Sequence, residues 1–214
     1  MDRPTVVSFD IGNTLIKLSN AKGFCGYFSE QLGIEISEIR DLLNKYFLCA
    51  NDTIDVAVKN VCQEIGCNFP QKILDNFKQS EAELFDDVIP LLKMLKANGI
   101  RIIAFSNCTP WEANGLDEYG LNDYISKVYY SYNIGVAKPD IRAFQYVQND
   151  VDVHPNQILH IGDTLGTDVK GALAAGWNAC LLNRTLKIFD KSLYKDIIVI
   201  DNLKLIIDLL GYTV

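Results

Sequence analysis

The chain has 214 residues, 49% of them hydrophobic, and a formal net charge of −7. That length suits one large domain or a core with an insertion, and the acidic balance argues against nucleic-acid or anionic-membrane partners. No apolar run approaches the roughly 20 residues that span a bilayer, and an apolar strand begins so early that no room is left for a signal peptide.

Six cysteines, at 25, 49, 62, 67, 108 and 180, form no C-x-x-C pair. In a chain of this length they read as reduced, mostly buried thiols of a cytoplasmic protein. Zinc is not expected, because His154 and His160 lack ligand spacing.

In chain order, Thr5 to Phe9 reads as a buried strand that runs into Asp10-Ile11-Gly12-Asn13-Thr14-Leu15. Residues from about 20 to 85 read as helical, with no convincing strand among them. Ile39, Leu42, Leu43, Tyr46 and Phe47 make one apolar stripe with Ser37 as its N-cap. Ile54, Val58, Val61 and Ile65 make a second, capped by Asp52 or Thr53. Pro70 suits the first turn of a third helix through Ile73, Phe77 and Leu84.

Beyond residue 85 helices and strands alternate. Val88, Leu91, Leu92 and Leu95 form a helix ended by Asn98-Gly99, and Ile100 to Phe105 a strand. Lys127 to Tyr132 reads as a strand, although Tyr129-Tyr130 is equally compatible with a loop. Ile141 to Asn149 is a helix after Pro139, Gln157 to Ile161 a strand, and Asp168 to Ala175 a helix closed by Gly176. Ala179 to Leu182 and Ile197 to Ile200 are short strands, and Leu203 to Leu210 is a last helix.

This alternation predicts an α/β fold with a doubly wound parallel sheet. The expected division is a core of residues 1–17 and 86–214 and a helical cap of residues 18–85. The cap is inserted directly after the Asp10 turn, where it would sit over the crevice as a lid.

Ligands of open α/β sheets bind at the carboxyl ends of the strands, and several chemical groups fall there. Asp10 can bind a cation or attack an electrophile. Ser106 offers a hydroxyl, and the Ser106-Asn107 turn offers backbone N–H groups, to an anion. Lys138 precedes a Pro-initiated helix. Asp163 and Asp168 add carboxylates that would crowd Asp10 and need a cation between them; Mg²⁺ suits such an all-oxygen set beside phosphate. Each group also has an ordinary reading: a turn cap, a solvated lysine, a charge at a helix N-terminus.

The ordered set Asp10, Ser106, Lys138, and Asp163 with Asp168 resembles the haloacid dehalogenase superfamily, most of whose members are phosphatases. The likeness spans nearly the whole chain and includes Ile161-Gly162-Asp163-Thr164-Leu165-Gly166-Thr167-Asp168 running on to Gly176-Trp177. The helical insertion resembles the cap of that superfamily. The resemblance implies that Asp10 is the nucleophile that becomes an aspartyl-phosphate. It implies that Ser106 binds a phosphate oxygen and that Lys138 balances the charge of Asp10 and the phosphate. It also implies that Asp10, Asp163, Asp168 and the Gly12 carbonyl hold Mg²⁺.

Gly12 departs from the pattern, because phosphatases of the superfamily carry there a second Asp that protonates the leaving oxygen and later activates water. Asn13 stands where the superfamily often has Gly, and Asn tolerates a left-handed conformation.

The expected activity is a Mg²⁺-dependent phosphatase of a small phosphorylated metabolite with weakened or rerouted acid–base chemistry. The alternatives are a catalytically silent phosphate-ligand or protein-binding relative, and a dehalogenase or phosphonatase. Substrate and oligomeric state are not readable. Lys22, Lys45, Lys59 and Arg40 lie in the cap with no spacing that singles one out, Lys17 faces either substrate or solvent, and Cys108 either lines the pocket or packs.

Overall fold

The computed structural model describes residues 3–19, 22–69, 71–79, 81–113, 116–186 and 197–211. Six parallel strands make the main sheet: β1 (Val6–Phe9), β4 (Arg101–Ser106), β5 (Lys127–Tyr130), β6 (Ile158–Gly162), β7 (Asn178–Leu182) and β8 (Ile198–Ile200). Their order is β5-β4-β1-β6-β7-β8, so the chain winds one way from β1 through β4 to β5 and the other way through β6 to β8. The direction reverses at β1, between β4 and β6. A crevice opens at such a reversal, and Asp10 directly follows β1.

Burial explains why these runs are strands. β1 and β6 are buried at every position, as expected of parallel strands covered on both faces. On one face lie α5 (Val88–Ala97) and α9 (Leu205–Leu209), packed on Val7, Phe9, Ile102 and Leu159. On the other lie α7 (Ile141–Val151) and α8 (Lys170–Ala174), packed on Val6, Ile103, Phe105 and Ile158. Phe144 of α7 fully buries its ring edge-on against Phe105 and Trp177, which is worth about 1.5–3 kcal/mol by burial alone.

Between β1 and α5 the chain makes α1 (Gly23–Leu32), α2 (Ile36–Leu43), α3 (Ile54–Ile65) and α4 (Gln71–Asn76). These helices, with the π-helical turn Asn44–Leu48 that follows α2, have their own core of Phe24, Phe28, Leu43, Phe47, Val58 and Val61. Among the described residues no helix is long and apolar enough to cross a membrane.

Several elements differ from expectation. Two strands flank the insertion: β2 (Ile16–Leu18) and β3 (Ala82–Leu84) pair antiparallel, Ile16 facing Leu84. Leu84 therefore belongs to a strand and not to a third helix; three-residue strands are too short to display a period in sequence. Pro70 lies outside the described residues.

Helix α2 starts at Ile36 behind an extended Glu35, so Ser37 is not its cap. Thr53 precedes α3 in extended conformation but makes no side-chain cap. After Tyr130 the chain turns directly into α6 (Ser131–Ile134), ending β5 earlier than read. Asp168 lies in a π-helical turn, Leu165–Val169, that precedes α8 and is not part of it.

Candidate active site

Four segments converge at the β1 edge. Asp10 leaves β1 with its N–H donating to the Ile161 carbonyl of β6 at 2.9 Å. The loop then tightens: Asn13 adopts φ 55° and its N–H donates to the Ile16 carbonyl at 2.6 Å. The left-handed step expected of Asn13 is present, and it returns the chain into β2.

From the far side of β6 comes Asp168. Its Oδ2 accepts the Thr164 N–H at 3.0 Å. The wide π-helical turn lets the carboxyl fold back over Gly162, where an added Cβ would stand 2.4 Å from Asp168 Cγ. Glycine at 162 is thus a condition for placing Asp168.

Lys138 joins these parts. Its Nζ donates to Asp10 Oδ1 at 2.9 Å and to the Phe105 carbonyl at 2.7 Å, and pairs with Asp168 Oδ1 at 2.6 Å. The ammonium is almost wholly buried. Asn107 holds the Lys138 backbone at both ends: its Oδ1 accepts the Lys138 N–H and its Nδ2 donates to the Lys138 carbonyl, each at 2.8 Å. The side chain of Asn107, whose turn reads as an anion-binding element, positions the lysine.

Asp10, Asp163 and Asp168 each offer a carboxylate oxygen within 4.8 Å of the others. Burial, with Asp168 and Asp163 as further causes, raises the Asp10 pKa to about 7 against the opposing pull of Lys138. Asp163 is likewise raised, by burial and then by Asp168. Burial also pushes Asp168 upward, but Lys138 and then His160 outweigh it and hold Asp168 well below the carboxylate range. Lys138 stays protonated because Asp10 and Asp168 overcome its burial.

Three close carboxylates facing one ammonium remain net negative, and every donor is oxygen. That composition fits a hard divalent cation such as Mg²⁺.

His160 lies beneath the cluster and went unread as a site residue. Its Nδ1 is 2.9 Å from Ser8 Oγ and its Nε2 is 3.5 Å from Asp168 Oδ1. Burial lowers its pKa, and its Nε2 faces Asp168 without a hydrogen bond. On a buried strand it looks like core, and only the fold reveals its neighbour.

Gly12 and Ser106 lead from the cluster into a cavity of about 280 Å³ between core and insertion. Ile11, Ile16, Leu18, Phe24, Leu48 and Tyr130 give it an apolar lining, completed by Cys25, Cys108 and Glu112. Cys108 therefore lines the pocket, yet burial, Glu112 and Asp10 push its thiol up to about 12. Burial and Glu112 do the same to Cys25. Neither is a thiolate nucleophile. Lys17 points to solvent, 3.7 Å from Glu83.

A family profile for hydrolases of the haloacid dehalogenase-like kind matches residues 4–176. The (S)-2-haloacid dehalogenase of Pseudomonas sp. strain YL is 24% identical over 205 residues, covering 89% of this chain and 88% of that protein. A glyceraldehyde 3-phosphate phosphatase of Methanopyrus kandleri is 32% identical over 95 residues, 43% of this chain and 40% of that one. Among solved structures, the HAD-hydrolase YfnB of Bacillus subtilis, bound to magnesium, superposes with TM-score 0.63 at 20% identity, covering 98% of this chain and 100% of that one. The last likeness speaks to fold alone. The profile spans most of the chain, and the chain belongs to the haloacid dehalogenase-like hydrolases.

Proposed function

We propose that the protein is a Mg²⁺-dependent phosphatase of a small phosphorylated metabolite that works through an aspartyl-phosphate on Asp10. The observation that carries this reading is the acidic triad, two of whose members are joined by Lys138, beside a small cavity between core and insertion. Asp10, Asp163 and Asp168, with the Gly12 carbonyl, would hold the cation. When bound, Mg²⁺ supplies a Lewis acid for a phosphoryl oxygen.

The chain's own groups do the rest. Lys138 keeps Asp10 oriented and offsets the charge gathered as its carboxylate approaches phosphorus. Asp10 Oδ forms the new P–O bond while the ester P–O bond breaks, and the leaving oxygen departs as an anion that takes its proton from water. Ser106 and the N–H groups of its turn hold phosphate oxygens. Water then attacks phosphorus, releasing phosphate and restoring Asp10.

Gly12 has no side chain to give or take those protons. Loss of such help typically slows a reaction about 10²–10⁴-fold, or roughly 3–5 kcal/mol.

A second reading, dehalogenation, has support in the full-length likeness to a haloacid dehalogenase and in Gly12, since a departing halide needs no proton. It gives no role to three crowded carboxylates.

The test is phosphate release from aryl phosphates with Mg²⁺, run beside halide release from 2-haloalkanoates. Expected are phosphate release that stops with a chelator and in Asp10→Asn, and no halide. Chelator-resistant halide release without phosphate release would overturn the proposal.

A further inference from the structure

One half-buried acid in the cavity has no part in the chemistry above. Glu112 comes from the core, six residues beyond Ser106 in sequence, and reaches the insertion. Its Oε1 accepts the Phe24 N–H in the first turn of α1 at 2.7 Å, and its Oε2 accepts the Thr109 hydroxyl at 2.8 Å. Both oxygens are acceptors, the role of an ionised carboxylate. The N-terminus of the ten-residue α1 also favours a negative charge. Burial raises the Glu112 pKa, and the Thr109 hydroxyl and Phe24 N–H oppose that.

The same contacts fix where the charge stands. Glu112 bonds the first turn of α1 and so stands at the insertion side of the cavity, whereas Gly12 and Ser106 line its core side. The part of the substrate beyond the reacting phosphorus enters that space, which Leu48 and Tyr130 also line. Among the described residues the one cation lining this cavity is Lys22, which is 65% exposed and 3.1 Å from Glu30. Lys45 and Arg142 line a different cavity, together with Cys49, Ala137 and Asp140.

We propose that Glu112 selects against a second anion, so that the substrates are phosphate monoesters whose alcohol is small, apolar, and neutral or cationic. This rests on the phosphatase reading and narrows it. A negative charge held in a half-buried pocket repels a carboxylate or second phosphate. A cationic group would gain from Glu112. The volume of about 280 Å³ suits a single ring or short chain. Phosphorylated hydroxy acids and 2-haloalkanoates, whose carboxylate would face Glu112, are poor substrates.

The experiment compares phenyl phosphate, 4-carboxyphenyl phosphate and 4-(aminomethyl)phenyl phosphate with Mg²⁺, in wild type and Glu112→Gln. Glutamine keeps an acceptor for Phe24 and a polar contact for Thr109 while removing the charge. In wild type, kcat/KM for the phenyl ester should exceed that for the carboxyphenyl ester by on the order of 10-fold or more, chiefly through KM. In Glu112→Gln the ratio should fall to within about 3-fold, while the phenyl ester is little affected.

Equal use of the two esters by wild type, or a ratio unchanged in the variant, overturns the proposal. The wild-type comparison stands even if the variant does not fold. If no ester is turned over, the phosphatase reading fails, and calorimetric binding of the three esters to wild type then decides the role of Glu112. Rejection of the carboxyphenyl ester alone supports it, and equal binding of all three refutes it.

Discussion

Gly12 does not need to be glycine on backbone grounds. Its φ is not in the left-handed region, and an added Cβ would meet only Leu18 Cδ1, the movable end of a side chain, at 3.2 Å. The missing acid–base group is therefore a chemical choice at this position and open to repair. Esters whose leaving group departs unprotonated should be favoured. Aryl phosphates of acidic phenols should outrun alkyl phosphates by about 10²–10⁴-fold in the chemical step, measured by single-turnover kinetics across a leaving-group series. Gly12→Asp should recover turnover of alkyl esters and flatten the series. A flat series in wild type would show that another residue, or a group on the substrate, supplies the proton.

At the scale of elements, the two chain passages between core and insertion are clamped together. Arg184, just beyond β7, donates to both oxygens of Asp87 at 2.8 Å and to the Thr14 carbonyl at 2.9 Å, and the Leu203 N–H donates to Asp87 at 2.8 Å. Burial raises Asp87, but Arg184 and the Leu203 N–H more than reverse that and hold its carboxyl below its ordinary range. Asp87→Asn should therefore cost about 3 kcal/mol near neutral pH, read from urea unfolding. Because the folded pKa is depressed, the contribution is complete above the unfolded pKa and disappears as pH falls through the folded value. The gap between wild type and variant should close below about pH 4. A gap that persists there would mean packing, not charge, is responsible.

The insertion itself joins this clamped base through the β2–β3 ribbon, and the core loop bearing Trp111 and Glu112 locks into it. The Trp111 ring sits 5.4 Å from Phe24 and 5.6 Å from Phe47. A cap tied at one narrow ribbon, and meeting the core at the Trp111 loop and at α6, should move about the ribbon. Hydrogen exchange with beryllium fluoride as phosphate mimic should show added protection at Ile16–Leu18 and Ala82–Leu84. Unchanged exchange there, with the mimic bound, would count against closure.

Across the whole molecule, the strand-end chemistry was legible because each group is fixed by its neighbours in sequence. Asp10, Ser106 and Asp163 follow apolar runs, and Lys138 precedes Pro139. The alternation of strand and helix gave the parallel sheet, and Asn13 showed its left-handed turn in advance. What was hidden depends on distant parts meeting. Glu112 acquires meaning only when Phe24, 88 positions away, presents its N–H, and Asp87 only when Arg184, 97 positions on, closes over it. The β2–β3 ribbon was missed because three residues carry no period, and His160 because its strand hides it among core residues.

The central claim is that phosphoryl transfer to Asp10 proceeds while Gly12 leaves the second step, water attack, without its base. Rapid quench of the wild type with an excess of an activated aryl phosphate and Mg²⁺ tests it most directly. The account predicts a burst of phenol equal to the enzyme present, followed by slow phosphate release, with phosphate carried on Asp10 in the quenched protein and no burst in Asp10→Asn. Phenol and phosphate appearing in step, with no phosphate on the protein, would contradict it.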